Sequence, residues 1–415
     1  MNRRVVITGL GTINPLGNNI ADSWRRAKAG ENGIDYIKRF DMTDHEVKIA
    51  GEIKDFDFLA YFGKKQLKRM DRFTQLAMIA TDEAIQDAQL NLDDMDKRRI
   101  GVYYSSGIGG LETIANENEK AIKKGFNRIS PFFIPMSIIN IAPGNIAIKY
   151  GIKGMATASV TACASATNTI GDAFRAIRHG YLDVCISGGS ESTVTPLGLS
   201  GFKVMHALSN ANEPNEASTP FDKNRSGFVM GEGAGTLILE SYEHAKARGA
   251  KIYGEIIGYG ATCDASHITS PDPEGEGARQ CMEDALHDGS IKIEDVGHIN
   301  AHGTSTPLND KIETLAIKKL FKEHSRNIAI NSTKSMTGHL LGASGAVESI
   351  FTVLALKDQF VPPTINYKTE DIDCDLDYTV NEGKEKKMNY AITNSLGFGG
   401  HNATLAFKRW SDDVK

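Results

Sequence analysis

Apolar and polar positions alternate along this chain in two periods. Residues 5–11 form a mostly apolar run closing in Gly9-Leu10-Gly11, which predicts a buried strand ending in a glycine turn. Over residues 75–90, Leu76, Ile79, Ala80, Ala84 and Ala88 recur at helical spacing, and Ile100-Gly101-Val102-Tyr103-Tyr104 reads as the next strand. Two more strands are predicted at Val184-Cys185-Ile186 and Gly235-Thr236-Leu237-Ile238-Leu239, with a long irregular stretch between them. Strands alternate with helices, which predicts α/β layers with largely parallel strands.

The chain also matches itself. Thr8-Gly9-Leu10-Gly11 pairs with Ile257-Gly258-Tyr259-Gly260, and Asp82-Glu83-Ala84 with Glu283-Asp284-Ala285. Ser106-Gly107-Ile108 pairs with His302-Gly303-Thr304. The segment around Cys163 pairs with the one leading into the helix after His339, and Gly227-Phe228 with Gly397-Phe398. The shared order implies one duplication, with halves over residues 1–250 and 251–415. If a pseudo-twofold relates the halves, the loops holding Cys163, His302, His339 and Phe398 converge between them.

Composition narrows the setting without naming a partner. Among 415 residues the formal net charge is -5, which argues against nucleic acid as the partner of the whole surface. The five cysteines are scattered with no C-x-x-C pair, which suggests neither a disulfide framework nor a structural zinc site and fits a reducing cytoplasm. No apolar run reaches spanning length, so neither export nor membrane insertion is expected.

The candidate chemistry starts at Thr161-Ala162-Cys163-Ala164-Ser165, a tight turn of small residues between a β-branched run and a helix. Helix N-terminal N–H groups favour a thiolate, so Cys163 is a candidate nucleophile with a lowered pKa; a small buried filler is the competing reading. His302, in Ala301-His302-Gly303-Thr304-Ser305-Thr306-Pro307, and His339, ahead of a small-residue helix, are candidate bases. Zinc on these three residues lacks a fourth ligand, and no metal is expected. Gly9-x-Gly11 invites a dinucleotide reading but has Asn14 at the third glycine position.

Together with Lys334-Ser335-Met336-Thr337-Gly338-His339 and Asn394-Ser395-Leu396-Gly397-Phe398-Gly399-Gly400-His401, these motifs resemble the β-ketoacyl-acyl-carrier-protein synthases of type II bacterial fatty-acid synthesis, synthase II more than synthase I. The similarity runs from the first strand to about Lys408. Asn309 departs from it, standing where relatives often have glycine.

The resemblance implies a duplicated, thiolase-like, five-layered α-β-α-β-α fold, a homodimer and a Cys-His-His site. It implies that Cys163 takes an acyl chain from acyl-carrier protein, and that malonyl-carrier protein then loses carbon dioxide and attacks the acyl-cysteine to give a β-ketoacyl product. In this picture His302 and His339 stabilise the enolate, and the N–H groups of Cys163 and Phe398 form an oxyanion hole. Lys334 pairs with buried Glu348. Thr304 and Thr306 bind the pantetheine arm, and Phe398 gates the site on a loop freed by Gly399 and Gly400. Ile108, Phe133 and Phe202 line or close the acyl tunnel, Phe133 near the dimer partner's pocket.

No cofactor beyond the carrier's own phosphopantetheine is implied. Lys64, Lys65, Lys68, Arg69 and Arg72, with a second group of Lys123, Lys124 and Arg128, form the expected docking patch for the acidic acyl carrier protein. The alternatives are a polyketide-type ketosynthase with the same triad and a non-catalytic partner subunit of the chain-length-factor kind, against which Cys163 and both histidines argue. A thiolase would need a second catalytic cysteine.

Overall fold

The structure, a computed structural model, describes residues 2–411. Its first half supplies strands β1 (Val5–Ile13), β2 (Ile100–Ser105), β3 (Ala156–Thr157), β4 (Val184–Glu191) and β5 (Gly233–Ser241). Its second half supplies β6 (Gly254–Cys263), β7 (Val296–Asn300), β8 (Ala329–Asn331), β9 (Tyr390–Gly397) and β10 (His401–Arg409). Helices of the first half include α1 (Phe58–Leu67), α2 (Arg72–Asp87), α3 (Leu111–Lys124), α4 (Phe133–Ser137), α5 (Ile141–Tyr150), α6 (Ser165–Arg178) and α7 (Pro196–Val204). Those of the second include α8 (Glu276–Asp288), α9 (Pro307–Phe321) and α10 (Ser344–Asp358).

The strands run β3-β2-β4-β5-β1 and then, across one shared edge, β6-β10-β9-β7-β8. The second order is the first in mirror sequence, strand for strand. In each half two junctions are parallel and two antiparallel, so the sheet is mixed where a largely parallel one was expected. The reason is visible at β9 and β10, where residues 398–400 turn the chain straight back instead of carrying it through a crossover helix.

Layering follows from which faces are apolar. Helix α10 is buried from Ser344 to Leu356, and α6 along most of its length. Such helices need cover on every side. They form the middle layer, with α6 touching β2 and β4 of one half and β10 of the other, and α10 touching β5 and β9. Outside them lie the two five-stranded leaves, covered in turn by α2 and α5 on one side and by α8 and α9 on the other. This is the five-layered arrangement the resemblance implies. β1 and β6 pair antiparallel at only Val5, Val6 and Ile7, so the middle helices do most of the joining.

The Gly-x-Gly pairs are packing devices in both halves. A Cβ on Gly11 would lie 2.0 Å from the Ala80 carbonyl oxygen, and one on Gly260 would lie 2.0 Å from that of Cys281. Each pair lets an outer helix press onto a strand, which leaves no part for a dinucleotide. The same hydrogen bond closes both contacts: Leu10 N–H donates to Asp87 Oδ2 and Tyr259 N–H to Asp288 Oδ2, each at 3.0 Å.

Candidate active site

Cys163 lies in a single 3₁₀ turn, Ala162–Ala164, that leads directly into α6. The turn is sharp because Ala162 adopts φ 50°, a left-handed value that a non-glycine residue holds only when its surroundings insist. They do: Thr161 N–H donates to Ser165 Oγ at 2.9 Å, Ser165 Oγ–H to the Ala162 carbonyl at 2.7 Å, and Asn168 Nδ2 to Thr161 Oγ1 at 2.7 Å. Gly397 packs against this turn, where a Cβ would stand 3.2 Å from the Cys163 nitrogen.

The thiol is 8% exposed, and this overturns one expectation. Burial pushes its pKa up to about 12, outweighing the nearby Lys334 charge and the N–H groups of Phe398 and Cys163 that favour the thiolate; Glu191 adds to the rise. The position at a helix start is as expected, but desolvation outweighs the helix end.

His302 follows β7 in a loop whose backbone is pinned by a buried carboxylate, with His302 N–H and Gly303 N–H each 2.8 Å from Glu313. His339 is fixed through its main chain, N–H to the Val229 carbonyl at 2.7 Å, and its Nδ1 lies 2.9 Å from Ser344 Oγ. The two imidazoles stand edge to face with centroids 5.3 Å apart. Burial and the Lys334 charge hold both well below the ordinary histidine range, so both are neutral near pH 7. Lys334 and Glu348 form an ion pair, each about 2% exposed.

A cleft of about 350 Å³ collects Cys163, His302, His339, Thr304, Thr306, Phe202 and Phe398. The hydroxyls of Thr304 and Thr306 are 3.0 Å apart. Aromatic rings wall one side, with Phe398 to Phe202 at 6.3 Å, Phe202 to Phe228 at 5.5 Å and Phe228 to His339 at 5.1 Å. The Phe398 loop turns on Gly399 and Gly400 at φ 87° and 75°, and Gly399 N–H donates to the Ile268 carbonyl at 2.7 Å.

Not every predicted residue meets there. Ile108 and Phe133 do not line this cleft; Ile108 is exposed and Phe133 half-buried. Lys64, Lys65, Lys68, Arg69, Lys123, Lys124 and Arg128 are all exposed, whereas Arg72 points inward to Glu232 and leaves the expected patch. Phe228, Ser344 and Glu313 escaped the sequence reading. Phe228 carried a signal, since the internal match already paired Gly227-Phe228 with Gly397-Phe398.

Two family models, for the N-terminal and C-terminal domains of beta-ketoacyl synthases, match residues 2–245 and 253–368. The chain belongs to the β-ketoacyl synthase family. This synthase is 50% identical over 409 residues to 3-oxoacyl-[acyl-carrier-protein] synthase 2 of Staphylococcus aureus (strain N315), covering 99% of each chain. It is 51% identical to the protein of the same name from Synechocystis, covering 98% of each. Among solved structures, a beta-ketoacyl synthase from Burkholderia phymatum superposes with a TM-score of 0.91 at 33% identity, over 99% of this chain and 100% of the other. A type II polyketide ketosynthase, solved with its acyl-carrier protein and a bound hexaketide, does so with a TM-score of 0.91 at 34% identity and the same coverage.

Proposed function

We propose that this β-ketoacyl synthase, an acyltransferase, elongates fatty acyl chains by decarboxylative condensation of acyl-carrier protein with malonyl-carrier protein. The observation that carries the reading is one cleft that brings together the Cys163 thiol and the two neutral imidazoles of His302 and His339.

The Cys163 sulfur adds to the acyl thioester carbonyl, and the N–H groups of Cys163 and Phe398 receive the resulting oxyanion. The carrier's sulfur leaves with the proton that Cys163 gives up. Malonyl-carrier protein then loses carbon dioxide, and the bonding electrons move to its thioester oxygen. Neutral imidazoles suit this step, because each donates a hydrogen bond to the enolate. For His339 this role requires Ser344 Oγ–H, 2.9 Å away, to donate to Nδ1, which places the ring proton on Nε2. The enolate carbon attacks the acyl-cysteine, the carbon–sulfur bond breaks, and the Cys163 thiolate that leaves takes one proton from solvent, the proton the overall reaction consumes. Burial, with the Lys334 charge adding to it, keeps both imidazoles from charging, while Thr304 and Thr306 hold the pantetheine arm. No cofactor takes part beyond that arm.

The reading extends to the surface. The acyl carrier protein docks on the exposed lysines and arginines of α1, α3 and their flanks. A second copy of the chain covers the short edge strand β3 and the exposed apolar side chains of Ile134, Ile138, Met155 and Val160. Among the described residues no helix is long and apolar enough to cross a membrane, and we place the enzyme in the cytoplasm.

Intact-protein mass spectrometry tests the proposal. The native chain incubated with hexadecanoyl-carrier protein should gain an acyl adduct that Cys163→Ala lacks, and a malonyl-carrier chase should discharge it as a product two carbons longer. A chain that takes up no acyl group of any length would instead support a silent partner subunit.

A further inference from the structure

The internal match that pairs the two halves also shows where they differ around the nucleophile. Thr161 opens the Cys163 turn, Asn168 lies one turn into α6, and Tyr259 stands on β6 of the other half. Because α6 starts at Ser165 and α10 at Ser344, the counterparts of Thr161 and Asn168 are Leu340 and Val347; Gly9-Leu10-Gly11 makes Leu10 the counterpart of Tyr259. All three counterparts are buried in one apolar core.

Beside Cys163 the same three places are polar and joined in a chain. Tyr259 Oη–H donates to Asn168 Oδ1 at 2.6 Å, and Asn168 Nδ2 donates to Thr161 Oγ1 at 2.7 Å. Tyr259 is 3% exposed, and its ring reaches that depth because Gly171 faces it, where a Cβ would fall 2.5 Å from the ring carbons. Burial pushes the phenol pKa further up, so near neutral pH the hydroxyl is a fixed donor.

A turn of this shape forms without such a chain, as Leu341–Ala343 shows with the same left-handed start. Burying polar side chains costs more than burying apolar ones unless every bond is made, so the shape of the turn does not account for them. Their place does. Thr161 stands two residues before Cys163, and its carbonyl oxygen would lie 2.8 Å from a Cβ on Gly397, the residue before Phe398. A displaced Thr161 therefore moves the N–H of Cys163 and presses on the backbone that presents the N–H of Phe398.

We infer that Tyr259 is a positioning residue for acyl transfer: through Asn168 it fixes Thr161, and so sets the N–H of Cys163 against that of Phe398 where the thioester oxygen must be received. The inference rests on the ketosynthase reading and adds a residue that acts on the nucleophile without touching it.

The test compares two reactions of one sulfur in the full chain, each followed by intact mass. Acylation by hexadecanoyl-carrier protein needs the oxyanion hole, whereas alkylation by iodoacetamide needs only the thiol. In Tyr259→Phe acylation should slow about 10-fold, short of the cost of losing an oxyanion donor, with alkylation within about twofold of wild type. Thr161→Val, which removes the far end of the chain, should do the same. Tyr259→Phe added to Asn168→Val should slow acylation no further than Asn168→Val alone, because the three side chains act as a unit. Acylation at the wild-type rate in Tyr259→Phe, a change in alkylation as large as that in acylation, or an additive double variant would show ordinary core support and overturn the inference. Should Asn168→Val fail to fold, Tyr259→Phe and Thr161→Val decide, since both keep the packed shape. A wild-type chain that no acyl-carrier protein acylates would overturn the ketosynthase reading itself, whereas full-rate acylation in Tyr259→Phe overturns the positioning role alone.

Discussion

The turn that carries Cys163 and the turn that carries Gly342 are the same structure built twice. Each is a 3₁₀ turn feeding a buried helix, α6 or α10, whose first residue is serine. Each begins on a left-handed residue, Ala162 at φ 50° and Leu341 at φ 45°. Each closes with one main-chain bond, Ala164 N–H to the Thr161 carbonyl at 3.0 Å and Ala343 N–H to the Leu340 carbonyl at 2.9 Å. The difference is at the middle residue. In one turn it bears a thiol facing the cleft; in the other it bears nothing, because Gly107 occupies the place of a side chain. The serines diverge too, Ser165 bracing its own turn while Ser344 meets His339. Duplication supplied two identical turns, and a side chain at each position divided reactivity from support.

The largest expected effect strikes both turns at once. Lys334→Ala leaves Glu348 buried and unpaired, at a cost of about 3–5 kcal/mol, to be read by urea unfolding. Replacing Lys334 and Glu348 together by apolar residues should cost far less. Next comes Gly342→Cys, which copies the first turn into the second. With Gly107 in the way, overpacking should cost about 1–3 kcal/mol in thermal unfolding, and Cys163→Ala/Gly342→Cys should take up no acyl group. A second reactive thiol at position 342 would erase the distinction.

A pH series separates the imidazoles from the turns. The pKa values of His302 and His339 are depressed in the folded state, so below about 6.5 the unfolded chain binds more protons. The stability they contribute is complete above that pH and is lost as pH falls toward their folded values, by up to about 1.4 kcal/mol per pH unit for each. Glu313, raised to about 7 by burial, works in the opposite direction. The check is therefore the difference between wild type and His339→Asn, whose stability should fall less steeply on acidification. The smallest effect belongs to the serines. Ser344→Ala removes one hydrogen bond worth about 1 kcal/mol and should slow condensation about fivefold, while Ser165→Ala should show mainly as lost stability.

Much of this was legible in the sequence, because the reactive residues stand in loops of small and hydroxyl residues that no core needs. Cys163, His302 and His339 stand out that way, and the internal match brings their loops together with that of Phe398. What escaped depends on surroundings. The rise in the Cys163 pKa is a property of everything packed around the sulfur, and no local pattern carries it. Strand direction depends on how β4 and β9 are followed, so alternation of strands and helices could not reveal the antiparallel junctions. Tyr259 and Ser344 matter through partners 91 and five residues away, and Arg72 looked like a surface cation until Glu232 claimed it.

The contact between α6 and β9 bears on how the molecule comes into being. Thr167 and Ser395 share a hydrogen bond of 2.6 Å across 228 residues of chain, just behind the nucleophile. At translation speeds of about 5–20 residues per second, roughly 10–45 s separate the synthesis of the two. Through that interval the thiol has neither its enclosing wall nor the Phe398 N–H, so a nascent chain carries a cysteine of ordinary acidity that becomes a shielded one only when the late strand arrives. Timed alkylation of stalled ribosomal chains would record that passage.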